Sequence, residues 1–317
     1  MTARILAAAT IIAIAAHTSP RAERAPHVAA QALTTGQRHH YTIGGRVRPL
    51  LFWIGKEDVG DAIVAMKREA DCASYALLIG SDPERAPRSI NRWGYMAEDV
   101  RGAEASLVGL MTESNEDSVD QAEANLRKAA GNETFNVIRA SIAGGEARSV
   151  VTSVAAPSTY TFREIDTVLE LADHRGVDGK ARVVRLPPGG RPGFLSALAD
   201  VMQEQASVWR SAGKLRPTQP IAYVYHGQVY QLRVTQSRAV ASQRIGATTY
   251  EHLIASEFQI KQAATNEVTD FSITYGADGP LAGVPIAATY QPRWWIEIQL
   301  TLDDTRPGPL PPIETTR

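Results

Sequence analysis

The residues best suited to binding chemistry lie close together between residues 80 and 95. Three arginines recur in this stretch, and a guanidinium group can bind a phosphate or a carboxylate through two parallel hydrogen bonds. Two aromatic residues follow, and their rings could stack on a ligand. The candidate ligand- or partner-binding residues here are Arg85, Arg88, Arg92, Trp93 and Tyr95. The alternative is an ordered loop whose arginines pair with Glu84, Glu98 or Asp99.

A second candidate surface is marked by two adjacent tryptophans near the C-terminus. If Trp294 shares a strand face with Ile296 and Ile298, alternation turns Trp295 to the face that carries Glu297. A large indole on a polar face must be covered by another part of the chain, a partner or a ligand. Trp295 is therefore the sixth candidate binding residue.

The sequence contains no recognisable catalytic motif. It lacks a His-Glu-x-x-His helix, a phosphate-binding Gly-Lys-Ser/Thr loop and a Gly-x-Ser-x-Gly turn. Cys72 is the only cysteine, so the chain forms no internal disulfide, and a nucleophilic role would require an activating histidine. His39 and His40 are adjacent, which on a strand points their rings to opposite faces. No metal site and no cofactor is predicted.

Composition indicates a globular protein with a substantial core. The chain has 317 residues, of which 44% are hydrophobic and 21% charged. Its net charge of −1 lacks the basic excess of a nucleic-acid surface, so no nucleic-acid partner is expected. No apolar run approaches the ~20 residues that a transmembrane helix needs, so none is predicted in the mature chain.

Residues 1–32 are predicted to be a signal peptide. An uncharged stretch from Ile5 to Ala16 follows Arg4, and small residues suited to signal peptidase occur at Ala13 to Ala15 and at Ala30 to Ala32. The alternative is a short N-terminal core helix. We expect an exported protein, periplasmic or extracellular.

The elements that must position the candidate residues predict an α+β fold in three parts. A β-rich N-terminal lobe over residues 40–156 contains short apolar runs and one helix that begins at Ser114. A helical connector follows over residues 157–214, and an antiparallel β domain over residues 219–303. Residues 304–317 are predicted to be a disordered tail.

The connector carries two helix signals. Thr161 and Glu164 have the spacing of a capping box, in which each side chain accepts a hydrogen bond from an amide of the other residue. A second apolar stripe begins at Leu195 after a loop rich in proline and glycine, and it ends near Gly213, a natural helix stop.

The C-terminal part alternates apolar and polar residues with a period of two, which is typical of antiparallel strands with one face in a core. Tyr230, Leu232 and Val234 form one such run. His226-Gly227 before it reads as a tight turn between two strands. The pattern predicts a C-terminal antiparallel meander or partial barrel.

The C-terminal third also resembles a known family. The resemblance lies in Arg244–Tyr250, Thr269–Ile273, Val284–Ile286 and the strand with the two tryptophans. These segments are similar to those of an uncharacterised family of exported bacterial proteins with a lipocalin-like open barrel. The resemblance implies a curved antiparallel sheet and brings no catalytic residues.

These features favour a non-catalytic, exported binding or scaffold protein of the cell envelope. It would engage a small apolar ligand or an envelope protein. The alternative is an exported hydrolase whose nucleophile and base are too scattered to recognise. A wide apolar interior would favour the binding protein, whereas a cleft that joins Cys72 or a serine to a histidine would favour the enzyme.

We expect the mature protein to begin after the alanine-rich start and to lie outside the cytoplasm, because the uncharged run from Ile5 to Ala16 has the length of a secretory signal. N-terminal sequencing of protein recovered from its host measures this. An intact Met1 terminus in the cytosolic fraction would contradict the prediction.

Overall fold

The structure is a computed structural model that describes residues 33, 36–47, 54–112, 131–293, 296–303 and 305. The predicted signal peptide, the predicted helix after Ser114, both adjacent tryptophans and nearly all of the predicted tail lie outside these residues. Strands dominate the described chain, and the α+β class predicted from the sequence is confirmed. Among the described residues, no helix combines the length and apolar character needed to cross a membrane.

The first part of the chain contains strands β1 to β7, four of which were predicted from their apolar runs as shorter segments. Their bounds are Gln37–Val47, Ile54–Arg68, Cys72–Ser81, Trp93–Arg101, Glu104–Thr112, Asn132–Ala143 and Glu146–Pro157. Helix α1 follows, then two short strands and the longer helix α2. These four elements are α1 (Ile165–Arg175), β8 (Val177–Asp178), β9 (Arg182–Arg185) and α2 (Phe194–Ala212).

The last part of the chain is an antiparallel meander, as predicted. Its strands are β10 (Ile221–Tyr225), β11 (Gln228–Ile245), β12 (Thr248–Gln262), β13 (Val268–Gly276), β14 (Pro285–Arg293) and β15 (Ile296–Leu302). Strand β15 pairs with β1, with Leu302 opposite Tyr41. The strands of both parts therefore belong to one antiparallel sheet, whose order runs from β10 through β15 to β1 and on to β8, with β9 also pairing with β7.

Local sequence signals set the ends of several elements. The capping box is present, since Thr161 Oγ1 accepts a hydrogen bond from Arg163 N and Glu164 accepts one from Thr161 N at 2.7 Å. Helix α2 ends as predicted at Gly213, which has the left-handed conformation with φ of 62°. His226 and Gly227 form the predicted turn, and both have positive φ, as a type I′ hairpin turn requires.

One face of the first half of the sheet packs against α1. The contact is apolar and spans β2 to β7. Buried side chains of the sheet, including Ile63, Leu78 and Phe135, form one cluster with Val168 and Leu169 of the helix. Burial of such side chains stabilises by about 1.5–3 kcal/mol each relative to exposure. Helix α1 is therefore held by hydrophobic packing.

Helix α2 packs against the second half of the sheet and reaches back to the first. Its buried residues Val201 and Met202 share a cluster with Leu232, Ile254 and Phe258 of the meander. Its N-terminal end contacts β3 and β4. The sheet therefore curls around α2, and this helix lies between strands that are far apart in the strand order.

A buried carboxylate caps the start of α2. Glu98 of β4 is only 1% exposed, and its carboxylate accepts hydrogen bonds from Leu195 N at 2.6 Å and Ser196 N at 2.9 Å. These are amides that the helix itself cannot satisfy. Burial raises the pKa of Glu98, and the helix amides oppose this shift. A Cβ on Gly193 would lie 2.3 Å from the carboxyl carbon, so only glycine fits before the helix.

We expect Glu98→Gln to lower the free energy of unfolding by about 1–3 kcal/mol. Glutamine keeps the shape of the side chain but replaces one carboxylate oxygen by an NH₂ group. One of the two backbone N–H groups at the start of α2 then loses its acceptor while it stays buried. Urea unfolding curves measure the change. Glu104→Gln, at an exposed residue of β5, is the matched control and should stay within about 0.5 kcal/mol of the parent. Equal losses in both variants would contradict the capping role.

Candidate functional site

Arg85, the first of the predicted arginines, is surrounded by carboxylates. Its Nε donates to Asp82 Oδ2 at 3.0 Å, and its two terminal nitrogens contact Asp58 and Asp61 of β2. Asp61 is buried, and Arg85 lowers the pKa of that carboxyl, as does His40, against the effect of burial. The charge of this guanidinium is therefore used to join the β3–β4 connection to β2.

His40 extends this cluster to the end of the sheet's last strand. Its Nε2 lies 3.0 Å from Asp61 Oδ1, and its Nδ1 lies 3.1 Å from the carbonyl oxygen of Asp303. Two acceptors favour the doubly protonated ring, and the hydrogen bond with Asp61 raises the pKa of His40 although burial opposes it. Because both ring nitrogens face acceptors, the arrangement favours a structural cation over a catalytic base.

The three arginines differ in their surroundings. Arg92 donates to Glu133 Oε1 and to the carbonyl of Asn91, at 3.0 and 3.2 Å. Arg88 is exposed in a short 3-10 turn, where its φ is 56°. Arg85 and Arg92 thus contact different carboxylates. Of the partners considered in the alternative, Glu98 caps α2, and Asp99 contacts Ser74 and Arg101. Anion binding by this loop stays a prediction.

The two aromatic residues of the stretch belong to the core. The stretch predicted as a loop ends at Trp93, where β4 begins. Trp93 and Tyr95 are 4% and 3% exposed, in the cluster under α1. Trp93 Nε1 donates to the carbonyl of Tyr160 at 3.0 Å, and its ring centre lies 5.3 Å from that of Phe135. Both rings are therefore covered by the chain itself. Trp295 lies outside the described residues.

The surroundings of Cys72 are unlike those of a nucleophile. Its Sγ donates to Glu69 Oε2 at 3.3 Å, and this carboxylate raises the pKa of the thiol. Reactive cysteines have a lowered pKa next to cationic groups. Within the described ranges, no group of three or more histidine, cysteine, aspartate or glutamate side chains could hold a metal ion.

A candidate binding site is a half-open pocket of about 470 Å³ at the ends of β3 to β6. The loop before α2 forms one wall, and this loop is fixed to β10 because Arg191 N donates to the carbonyl of Ala222 at 2.7 Å. The other walls are mainly small or apolar side chains. The pocket is lined by Ala73, Tyr75, Val100, Gly102, Ala103, Glu104, Ala105, Ile142, Gly145, residues 186–192, Ser196 and Asp200.

Two charged residues of the lining, Arg191 and Asp200, pair with each other, and Arg68 lies beside them outside the lining. Arg191 Nε contacts Asp200 Oδ2, and Arg68 Nη2 lies 3.8 Å from Asp200 Oδ1. These side chains are roughly one-third to one-half exposed, so water solvates the ion pairs and weakens them. The site therefore presents apolar walls and a polar margin in which both arginines contact Asp200. Sequence analysis missed it, although the run of proline and glycine from residue 187 to 192 was a signal for a rigid, exposed wall.

Comparisons with known proteins give one structural likeness. No protein-family model matches the chain, and no curated protein matches it in sequence. The solved structure of a β-barrel-like protein of a domain of unknown function, DUF1849, from Brucella abortus is similar over 84% of this chain and 94% of that chain, with 8% identity and a TM-score of 0.32. The function proposed below rests on the residues of this chain alone.

We expect His40→Gln to destabilise the protein in a pH-dependent way. The raised pKa means that the protonated ring stabilises the folded state fully below its ordinary value of 6.5, and that this contribution is lost as pH rises through the raised value. The difference in unfolding free energy between parent and variant should be about 1–3 kcal/mol at about pH 5.5 and smaller at about pH 9. Urea unfolding at both pH values measures it.

His252→Gln is the control for this prediction. His252 also pairs with a carboxylate, Asp278, at 3.2 Å, but its side chain is 66% exposed. Its pair is weakened by solvent, so its loss should be small at every pH. A difference for His40→Gln that does not vary with pH would contradict a charged His40.

Proposed function

We propose that this protein is a non-catalytic binding protein of the cell envelope and that it holds a small apolar ligand in the pocket beside α2. The observation that carries the proposal is the pocket itself. Its volume of about 470 Å³ falls within the range of about 300–1,000 Å³ that is usual for small-molecule sites. Its walls supply apolar contact, and contact of this kind is the main driving force for taking an apolar ligand from water.

The contacts of both arginines at the margin with Asp200 favour an uncharged ligand. Arg191 and Arg68 both contact Asp200, so neither guanidinium is unpaired. A ligand with a strong negative charge would have to compete with Asp200 for these groups. An apolar body with a neutral polar end fits the pocket better, because it can lie against Tyr75, Val100 and Ile142 with its polar end in water.

The envelope location in this proposal is supported by the N-terminal sequence. The uncharged run from Ile5 to Ala16 and the small residues after it are those of a secretory signal. The single cysteine, Cys72, is compatible with an oxidising compartment because it has no partner for a misplaced internal disulfide.

The test fills the pocket from an exposed turn. Ala103 lines the pocket and follows Gly102 in a tight hairpin turn, so Ala103→Trp adds an indole at the mouth without disturbing the core. We expect the parent to bind the uncharged fluorescent probe N-phenyl-1-naphthylamine with an increase in emission. Ala103→Trp should bind it about tenfold more weakly, which corresponds to the loss of about 1.4 kcal/mol of contact.

Ala247→Trp is a matched control. Ala247 is exposed and follows Gly246 in the β11–β12 turn, and Gly246 has φ of 55°, close to the 59° of Gly102. This variant should bind the probe as the parent does. Probe binding that is equally affected in both variants, or that is absent from the parent, would contradict the proposed site.

A further inference from the structure

Strand β11 has a long edge that no other described segment covers. The strand runs from Gln228 to Ile245, but its neighbour β10 pairs with it only as far as Leu232. On its other side, β12 pairs with it from Tyr230 to the turn at residues 246 and 247. In the part of the chain that the structure describes, residues 233–245 therefore have one strand neighbour instead of two.

The hairpin geometry determines which backbone groups point away from β12. Ile245 and Thr248 flank a two-residue turn, so their backbones form a hydrogen-bonded pair. Going back along β11 to the bulge after Val234, every second residue forms the same kind of pair with the residue opposite it in β12. The intervening residues direct their N–H and C=O groups to the open edge. They are Gln236, Arg238, Val240, Ser242 and Arg244. The edge thus offers a row of unpaired donors and acceptors, as a strand that accepts another strand does.

The only charged side chains of this row are two arginines, which are positive. Arg238 and Arg244 lie on the same face of β11, about 20 Å apart along the strand, and both are exposed. Arg238 makes no hydrogen bond or ion pair with a described residue, and Arg244 Nε donates only to the carbonyl of Gly246 at 3.2 Å. No aspartate or glutamate occurs between residues 228 and 245.

We infer that this edge binds an extended acidic segment of another protein as an added antiparallel strand. The backbone groups of the row would supply the hydrogen bonds. Arg238 and Arg244 would supply selectivity. They are six positions apart and lie on one face, so they match two carboxylates that are also six positions apart on one face of the partner strand. A second copy of this chain fits less well, since residues 228–245 contain no carboxylate that could face the arginines of the other copy in any register.

The test uses the full-length protein and two labelled peptides. The first, Glu-Thr-Thr-Thr-Val-Thr-Glu-Thr-Gln, places both glutamates on one face opposite the two arginines. The second, Glu-Thr-Thr-Thr-Val-Glu-Thr-Thr-Gln, has the same composition but places its glutamates on opposite faces. Fluorescence anisotropy should show saturable binding of the first peptide and binding about tenfold weaker of the second.

Variants separate the roles of charge and backbone. Arg238→Glu combined with Arg244→Glu should weaken binding of the first peptide by about tenfold or more, whereas Arg148→Glu should not. Arg148 is also exposed on a strand, but β7 is paired on both sides there. Ser242→Pro removes one outward N–H and leaves the pairing with β12 intact, so it should weaken peptide binding without lowering the thermal midpoint.

Three results would overturn the inference. They are the absence of saturable binding by the first peptide, equal affinity for both peptides, and unchanged binding in the double charge reversal. Sedimentation of the unliganded protein gives a fourth criterion. A dimer that Ser242→Pro dissociates would assign the edge to a second copy of this chain and would overturn the acidic partner. The pocket probe should bind all these variants equally, so failure here is distinct from failure of the proposed pocket.

Discussion

Glu98 reaches from β4 to the first amides of α2, and the position of that helix depends on this contact. The sides of α2 are held by apolar packing on the meander, which is tolerant of small sliding movements. The carboxylate contact is directional, because two amides must meet two oxygens. It therefore fixes where the helix starts and how far it extends along the curled sheet. The pocket depends on the same contact, since its wall is the loop that leads into the helix.

The sequence predicted the fold best where one face of an element is buried and the other is exposed. Helix α2 and strands β10 to β13 have this character over at least part of their length, and their apolar periodicity gave their type. Strand β11 nevertheless continues to Ile245, ten residues beyond its predicted run, because its second half is largely exposed on both faces. Strand β2 was missed because residues 59–63 are all buried. Both of its faces are covered there, so the alternation on which strand prediction relies is absent. Strand β4 was missed because its first residues were interpreted as part of a binding loop.

In the candidate site, residues close together in sequence could be identified in advance, whereas their partners on other strands could not. The residues between 80 and 95 do include a cluster of interacting side chains, but the carboxylates around Arg85 include two from β2, at positions 58 and 61. Sequence spacing could not identify them, because the partner strand and its register are set by the whole sheet. The pocket could not be predicted from the sequence either. It is built from short contributions of β3 to β6 and one loop, and none of these has a motif of its own.

The pairing of β15 with β1 has a consequence for how the chain becomes folded during synthesis. Strand β1 lacks one neighbour until almost the entire polypeptide has been made, and His40 and Asp303, which meet there, are separated by 263 positions. Contacts of such sequence separation form late and slow the folding reaction. Until then β1 has an unpaired edge that invites association with other chains. A chain of this topology is suited to being kept unfolded until its last strand is available, after which the sheet can be completed in a single step.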